Sequence, residues 1–213
     1  DVTDKIAVVY VEDTREAMED MAPFFFDYPS RKMRMIALTG TNGKTTTTHI
    51  AAHILHKAGN KVGVIGTIHA LIGDKEIPTH NTTPVVIDLQ RLLSMMVDEH
   101  VTHVCMEVSS HSLVLGRVKG CEFDDAVFTN LTEDHLDFHK TMEAYCDAKA
   151  LLFSNCDTGG CNSDHPWTER LLRQATCRRL LYGCKTPAAD LRAEAVSLAA
   201  DHVAFTAVTK DAQ

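Results

Sequence analysis

The chain has 213 residues, of which 45% are hydrophobic, so it is long enough for one full domain with a sizeable core and an additional segment. Its formal net charge of −8 argues against a nucleic-acid or anionic-membrane partner, and no apolar run reaches the length of a membrane span. Seven cysteines without a C-x-x-C pair predict reduced thiols and a cytoplasmic location.

The N-terminal segment is predicted to contain one strand and one helix. The strand is expected over residues 5–11 and the helix over residues 14–26, capped by Thr14, with Pro29 ending the segment. A single strand and helix cannot bury their apolar faces alone. We therefore expect residues 1–30 to be the end of a preceding domain and residues 31–213 to form the main domain.

A glycine-rich loop follows the next predicted strand. An apolar run at residues 33–38 leads into the loop, and a helical pattern covers residues 45–58. The loop reads Gly40-Thr41-Asn42-Gly43-Lys44-Thr45-Thr46-Thr47. In a phosphate-binding loop, backbone N–H groups surround the phosphates, the lysine reaches the β and γ oxygens, and the threonine hydroxyl faces Mg²⁺. The full Walker pattern has a further glycine where this chain has Leu38, so an ordinary glycine turn is the alternative.

The rest of the chain alternates between strands and helices. Further strands are predicted at 61–67, 102–108, 125–131 and 178–183, and further helices at 84–99, 141–153 and 166–175. Residues 190–196 and 202–208 have the pattern of a hairpin. The order predicts an α/β fold, with a mostly parallel sheet, helices on both faces and a short antiparallel hairpin near the C-terminus.

Polar residues stand at the ends of four predicted strands, where parallel sheets bind their ligands. They are residues 39–45, Thr67, residues 107–111 and residues 130–135. A buried carboxylate such as Glu107 is costly unless it is paired or binds a metal, and Mg²⁺ prefers oxygen ligands. Glu107 is therefore predicted to bind Mg²⁺ beside Thr45. The alternative is a structural ion pair with Lys119 or Arg117.

Other polar clusters are ambiguous by themselves. The loop 129–139 holds two histidines and three acids, which is also typical of a solvated loop, and Lys149 lies on a helix where lysines are usually exposed. Thr83 is predicted to cap the helix that begins at Pro84. Two sets of side chains have weak similarity to zinc ligands, and packed or surface residues are the simpler interpretation of both. They are His49, His53 and His56, and Cys156, Cys161 and His165.

In combination, these motifs resemble the ATP-dependent Mur ligases of peptidoglycan synthesis, especially the members that add the third residue of the stem peptide. In chain order they are residues 40–47, Asn81-Thr82-Thr83-Pro84, Glu107-Val108-Ser109-Ser110-His111, residues 128–139 and Ala148-Lys149. The resemblance implies an ADP-forming ligase that acts on UDP-N-acetylmuramoyl-L-Ala-D-Glu. ATP would phosphorylate the side-chain carboxylate of the D-glutamate, and a diamino acid would attack the acyl phosphate.

The resemblance also implies roles for individual residues. ATP would be bound by Gly40, Thr41, Asn42, Gly43, Lys44, Thr45, Thr46 and Asn130. Mg²⁺ would be bound by Thr45, Glu107, His135 and Lys149, the last as a carbamate, and the catalytic residues would be Lys44, Glu107, His135 and Lys149. UDP-muramoyl-dipeptide would contact Asn81, Thr82, Thr83, Ser109 and Arg117. A monomer without a nucleic-acid partner is expected.

Two departures from the family pattern matter. The family's enzymes have three domains, so the resemblance assigns residues 1–30 to the end of the uridine-nucleotide-binding domain and 31–213 to the central ATP-binding domain. The C-terminal domain, which selects the diamino acid, is expected to be absent. The segment 159–165 is shorter than in the family and has His165 where a second aspartate is usual, which leaves its strand pairing open.

Three alternatives remain. The first is a nucleotide-binding module without turnover, because ligation depends on positioning by other domains. The second is another Mur-type ligase or an enzyme similar to folylpolyglutamate synthetase. The third is a P-loop kinase or GTPase, although the sequence has no Asn-Lys-x-Asp motif for reading guanine.

Overall fold

The computed structural model describes residues 8–73 and 75–210. Within these residues the strands are β1 (Arg34–Thr39), β2 (Val62–Ile65), β3 (Ala70–Ile72), β4 (Lys75–Ile77), β5 (His103–Glu107), β6 (Phe123–Phe128), β7 (Cys156–Asn162), β8 (Arg178–Gly183), β9 (Leu191–Leu198) and β10 (Val203–Thr209). The α-helices are α1 (Thr14–Phe25), α2 (Lys44–Lys57), α3 (Val86–Asp98), α4 (Ser110–Val114), α5 (Leu136–His139), α6 (Met142–Ala150) and α7 (Thr168–Arg173).

All ten of these strands join one sheet, in the order β10-β9-β8-β7-β6-β1-β5-β2-β3-β4. The pairs from β2 through β5, β1, β6, β7 and β8 to β9 are parallel. The antiparallel pairs are β2–β3, β3–β4 and the C-terminal hairpin β9–β10. The predicted α/β class, parallel sheet and hairpin are confirmed. The short strands β3 and β4 were not predicted, and β7 was not among the predicted strands.

Alternating strand residues divide the core between the two faces of the sheet. On one face, Ala52 of α2 packs with Val64 and Cys105. On the other face, the apolar sides of α3, α6 and α7 join strand residues such as Ala37 and Met106 in a larger cluster. Helices therefore cover both faces, and the central strands are buried between them.

The register of the central strands aligns the carboxyl ends that carry the site. In the β1–β5 pair, Leu38 lies opposite Glu107, and in the β1–β6 pair, Thr39 lies opposite Phe128. The glycine loop, the carboxylate of Glu107 and the loop after β6 therefore start at the same level of the sheet. This is the edge at which parallel sheets bind ligands.

The N-terminal segment differs in detail from the prediction. Asp13, and not Thr14, caps α1, because its carboxylate accepts hydrogen bonds from the backbone N–H groups of Arg15 (2.7 Å) and Glu16 (3.2 Å). Residues 8–11 do not form a strand, and the remainder of the strand predicted at 5–11 lies outside the described residues.

Two other predictions need correction. Thr83 does not cap a helix, because α3 begins at Val86 and the Thr83 hydroxyl donates instead to the backbone carbonyl of Glu107 (2.9 Å). The helix predicted at 141–153 becomes α6 followed by a 3₁₀ turn over Leu151–Ser154. The strand pairing that the sequence left open is now defined, since β7 pairs in parallel with both β6 and β8. Among the described helices, none combines the length and apolar character that crossing a membrane requires.

Candidate active site

The glycine loop connects the end of β1 to the start of α2. Gly40 has a φ of 147°, and a Cβ atom there would lie 2.0 Å from the Oγ1 atom of Thr129. Only glycine therefore fits at this position. The first turn of α2 begins at Lys44, directly after Gly43, so its free N–H groups face the loop. This strand–loop–helix arrangement is typical of a phosphate site.

The loop after β6 holds the backbone of the glycine loop in place. The Asn130 side chain accepts from the Asn42 N–H (2.9 Å) and donates to the Asn42 carbonyl (3.0 Å). The Thr129 hydroxyl donates to the same carbonyl (2.8 Å), and the Thr132 N–H donates to the Thr41 hydroxyl (3.0 Å). These four hydrogen bonds hold Thr41 and Asn42 of the glycine loop in place. In this structure Asn130 supports the loop backbone, and its predicted nucleotide contact stays a prediction.

Two lysine side chains converge on one backbone oxygen. The Nζ atom of Lys44 donates to the Gly40 carbonyl at 2.9 Å, and the Nζ atom of Lys149 donates to it at 3.0 Å. Lys149 is 1% exposed and its Nζ lies 4.6 Å from the centroid of the Tyr145 ring. A lysine on a helix is thus buried at the glycine loop, as the ligase resemblance requires and as a surface lysine would not be.

Burial and mutual repulsion lower the pKa values of both lysines. For Lys149, burial first and the Lys44 charge second lower the pKa from 10.5 to about 7, against an opposing effect of Asp134. For Lys44, burial lowers the pKa, while Glu107 and Asp134 act in the opposite direction. Two ammonium groups on one carbonyl repel each other, so this pair favours losing the charge of the more buried Lys149.

The Glu107 carboxylate at the end of β5 accepts hydrogen bonds from Thr45 and Thr67. The side chain is buried, and its Oε2 atom accepts from the Thr45 hydroxyl (3.0 Å) and the Thr67 hydroxyl (3.1 Å). Its Oε1 atom accepts from the Thr67 N–H (3.0 Å). The proposed ion pair with Lys119 or Arg117 is not formed, because Lys119 contacts Asp20 (2.9 Å) and Arg117 donates to the Thr83 carbonyl (3.1 Å).

The residues predicted to bind a muramoyl substrate do not all lie together. Thr83 contacts both the Glu107 carbonyl and the Ser109 N–H, and Arg117 donates to the Thr83 carbonyl. The Thr82 hydroxyl lies 3.1 Å from the Thr67 hydroxyl. Asn81 is exposed and lines a separate cavity of about 150 Å³. Four of the five predicted residues thus connect to Glu107 directly or through one partner.

His135 occupies a more open position than Glu107. Its side chain is 47% exposed, its Nε2 atom lies 3.5 Å from Asp134, and its ring centroid is 4.8 Å from that of His111. His139 is buried behind this pair, with its Nε2 atom 2.8 Å from the Ser110 hydroxyl. Burial first and then the charge of His111 lower the pKa of His139 to about 4.

The two sets of side chains with weak similarity to zinc ligands are not arranged as metal sites in the described residues. His49, His53 and His56 line a groove of about 600 Å³ between α2 and the β2–β3 hairpin. The Nε2 atom of His165 accepts from the Leu131 N–H at 3.2 Å. Over residues 8–73 and 75–210, no three histidine, cysteine, aspartate or glutamate side chains form a group that could hold a metal. A Mg²⁺ site here would therefore depend on hydroxyl, phosphate and water oxygens besides the protein carboxylate.

Sequence reasoning did not single out two residues of this site. Tyr145 is 1% exposed, and its hydroxyl lies 3.2 Å from that of Thr41. Its spacing of four residues from Lys149 places both on one face of α6, and this was a usable signal. Thr132 makes three hydrogen bonds to the glycine loop, but nothing in its local sequence distinguishes it from a solvated loop residue.

A comparison with protein-family models identifies the same region. The model described as the Mur ligase middle domain matches residues 38–213. The chain belongs to the Mur ligase family. The resemblance derived from the glycine loop, Glu107 and the motif of residues 128–139 is therefore confirmed at the family level.

Curated relatives and a solved structure agree with this membership. A UDP-N-acetylmuramoyl-L-alanyl-D-glutamate–2,6-diaminopimelate ligase of Clostridium acetobutylicum is 50% identical over 187 residues, which is 88% of this chain and 39% of the relative. The enzyme with the same name in Lactiplantibacillus plantarum is 55% identical over 149 residues, covering 70% of this chain and 30% of the relative. A solved structure of a ligase with that name superposes with a TM-score of 0.86 at 29% identity, covering 97% of this chain and 44% of that one. The chain thus spans about two fifths of the length of Mur ligase relatives such as the clostridial one.

Proposed function

We propose that the chain is the central ATP-binding domain of a ligase that joins a diamino acid to UDP-N-acetylmuramoyl-L-Ala-D-Glu. The observation that carries this proposal is the direct connection between the candidate phosphate site and the candidate substrate loop. Thr45 of the glycine loop donates to the carboxylate of Glu107, and Thr83 donates to the carbonyl of the same residue. Phosphoryl transfer to a substrate carboxylate requires these two sites to be adjacent.

The phosphoryl step depends mainly on positioned positive charge. The N–H groups of the glycine loop and of the start of α2 would bind the phosphates, and Lys44, which donates to the Gly40 carbonyl in this structure, would supply positive charge to the β and γ oxygens. The D-glutamate carboxylate attacks the γ phosphorus and forms an acyl phosphate and ADP. The diamino acid amine then attacks the acyl carbon, and phosphate leaves with the oxygen that had come from the carboxylate.

The buried donor set at Glu107 fits a hard cation. Thr45 and Glu107 supply oxygen atoms beside the glycine loop, and His135 and Lys149 would complete a second position. Mg²⁺ bound there supplies neutralisation of the charge that develops on the transferred phosphoryl group. Without a cation, Thr45 and Thr67 satisfy the Glu107 carboxylate and keep it oriented.

We propose that Lys149 is carbamylated, in keeping with the family resemblance. The Lys149 ammonium first loses one proton, and the uncharged amine then adds to the carbon of CO₂ and releases a second proton, which leaves a carbamate anion. The structure supports this because Lys149 is buried and shares the Gly40 carbonyl with a second ammonium, that of Lys44. A carbamate removes this repulsion and adds two oxygen ligands for a cation.

We propose 2,6-diaminopimelate as the diamino acid, because relatives of 50% and 55% identity are named for it. The residues that would contact the muramoyl substrate are Asn81, Thr82, Thr83, Ser109 and Arg117. We further propose that the protein is a cytoplasmic monomer and that residues 1–30 and 31–213 belong to two different domains. We expect residues 1–213 alone to bind nucleotide but not to make the amide bond.

The test is product formation by the full-length protein that contains this chain. Mass spectrometry should detect the UDP-muramoyl-tripeptide and equimolar ADP when ATP, Mg²⁺, UDP-muramoyl-dipeptide and diaminopimelate are present, and less product with lysine. ADP release that does not depend on the muramoyl substrate would contradict the ligase assignment. Product formed equally well with lysine would contradict the choice of diaminopimelate alone.

A further inference from the structure

The segment after β2 contacts the Glu107 carboxylate more extensively than any other segment at the described site. The Thr67 N–H donates to Oε1 (3.0 Å), and the Thr67 hydroxyl lies 3.1 Å from Oε2. Thr45 makes the remaining side-chain contact, at 3.0 Å to Oε2. Both carboxylate oxygens are therefore oriented by a residue to which the proposed reaction assigns no role.

The Thr67 hydroxyl lies between two hydrogen-bond acceptors. The hydroxyl oxygen lies 3.1 Å from Oε2 of Glu107 and 3.1 Å from the Thr82 hydroxyl oxygen. Thr67 is the donor in both contacts, so its single hydroxyl proton is shared between the Glu107 carboxylate and the Thr82 hydroxyl oxygen. The Thr67 hydroxyl thus connects Thr82 to the Glu107 carboxylate.

The backbone beside Thr67 is also shaped for this contact. A Cβ atom at Gly66 would lie 2.4 Å from Oε1 of Glu107, so a larger residue there would displace the carboxylate. The Gly66 carbonyl accepts from the Thr79 hydroxyl (3.1 Å), which is a second connection between this segment and residues 79–83. Two connections fix the distance between the candidate substrate loop and Glu107.

We propose that Thr67 is a positioning residue that orients the Glu107 carboxylate for the metal ion and links it to Thr82 of the substrate loop. This inference rests on the proposed function for the identity of the metal and the substrate. Groups that orient a metal ligand commonly change metal affinity or activity by about 10- to 100-fold when they are removed. Thr67 itself is exposed, so its side chain contributes little to folding.

The experiment measures metal binding separately from catalysis. In the full-length protein with a non-hydrolysable ATP analogue bound, the dissociation constant of Mn²⁺, used in place of Mg²⁺, is determined by electron paramagnetic resonance. Thr67→Val keeps the shape and the N–H but removes the hydroxyl, and Thr67→Ser restores the hydroxyl. Thr102→Val is the matched control, because its exposed hydroxyl contacts only groups at the opposite edge of the described sheet, the Lys61 carbonyl (3.1 Å) and the Nδ1 atom of His103 (3.0 Å).

We expect Thr67→Val to weaken Mn²⁺ binding about 10-fold, with Thr67→Ser within about twofold of the wild type. The ligase assay should show a lower kcat for Thr67→Val and a raised KM for the muramoyl substrate, and the control should change neither. Unchanged Mn²⁺ affinity in Thr67→Val, or equal weakening in Thr67→Ser, overturns the inference. If Thr67→Val does not fold, Thr67→Ala compared with Thr67→Ser decides by the same criterion.

The two proposals fail in different ways. A wild-type protein that makes no amide bond but whose Mn²⁺ affinity depends on the Thr67 hydroxyl contradicts the proposed function and supports the inference. A wild-type ligase whose Thr67→Val variant binds Mn²⁺ normally contradicts the inference alone. A protein that binds no metal with the ATP analogue contradicts both.

Discussion

Glu107 and His135 lie at the same edge of the sheet, but their surroundings differ. Glu107 is 1% exposed and accepts three hydrogen bonds from Thr45 and Thr67. The His135 side chain is 47% exposed, and its nearest charged neighbour is Asp134 at 3.5 Å. At the first proposed metal position, hydrogen bonds orient the Glu107 carboxylate. At the second, which includes His135, few contacts orient the ligand side chain.

The difference has an electrostatic cause. The first position contains a carboxylate and uncharged donors, so it is stable without a cation. The second position contains Lys149, whose ammonium faces that of Lys44 across the Gly40 carbonyl. As long as both amines are protonated they repel a cation, and loss of the Lys149 charge weakens this repulsion. We therefore expect the second position to be completed by CO₂ and by the bound substrates.

The largest loss of activity is expected from Lys44→Met. Lys44 is near both metal positions, because the charge of Glu107 opposes the lowering of its pKa by burial, and because its Nζ atom contacts the same Gly40 carbonyl as Lys149. Removing the charge that we propose contacts the transferred phosphoryl group should lower kcat about 10³-fold, because the stabilisation would be specific to the transition state. Steady-state ADP release measures the loss, and an unchanged circular dichroism spectrum controls for folding. Less than a tenfold loss would remove Lys44 from the phosphoryl step.

Glu107→Gln tests the first position specifically. Gln is isosteric and retains an oxygen for the Thr67 N–H, but it lacks the charge that attracts Mg²⁺. We expect kcat to fall about 10²-fold, equivalent to about 3 kcal/mol, together with a raised Mg²⁺ requirement. The melting temperature should stay close to that of the wild type. An unchanged Mg²⁺ titration would make Glu107 a structural residue.

Lys149→Ala tests whether the second position needs a carboxylate-like group. Activity should fall about 50-fold and should partly recover when acetate or another short carboxylate fills the space left by the side chain. The control is Lys149→Met, which fills that space and should not recover. Equal effects of acetate on both variants would contradict the carbamate proposal. Methylamine in place of acetate should give no recovery.

The smallest effect is expected for His135→Ala, because the exposed side chain is weakly oriented. We expect about a tenfold lower kcat at limiting Mg²⁺ and a smaller difference at saturating Mg²⁺. The neighbouring Phe138→Leu is the comparison, because it alters packing on His111 without removing a candidate ligand. A larger loss for His135→Ala than for Glu107→Gln would reverse the comparison between the two positions.

The sequence predicted the order of the main strands and the convergence of the glycine loop, Glu107 and residues 129–139. The prediction of the strands succeeded because hydrophobic periodicity and turn residues are local signals. The prediction of convergence succeeded because the carboxyl ends of parallel strands meet at one edge of the sheet. The sequence missed β3 and β4, which are three residues each and too short for a periodic pattern, and β7, whose seven residues include two glycines and have no apolar alternation. Asp13 and Thr14 are both residue types that cap helices, so the sequence alone does not decide which of the two is the N-cap of α1.

The partners of individual side chains were less predictable. Thr83 has the composition of a helix cap, yet its hydroxyl is used 24 residues away at the Glu107 carbonyl. Lys149 looks like a surface lysine, and its burial follows only from the packing of α6 against the glycine loop, 109 residues away in sequence. Such long-range contacts override local propensity, and for Lys149 only the resemblance to a family indicated them.

The acyl-phosphate mechanism is tested by following one oxygen atom from the D-glutamate carboxylate into the released phosphate. UDP-muramoyl-dipeptide with ¹⁸O in the side-chain carboxylate of D-glutamate is turned over by the full-length protein with ATP, Mg²⁺ and diaminopimelate. An acyl-phosphate mechanism predicts that each phosphate released carries one oxygen from that carboxylate, as detected by mass spectrometry. Phosphate that carries only oxygen from ATP and water would contradict the proposed ligase chemistry.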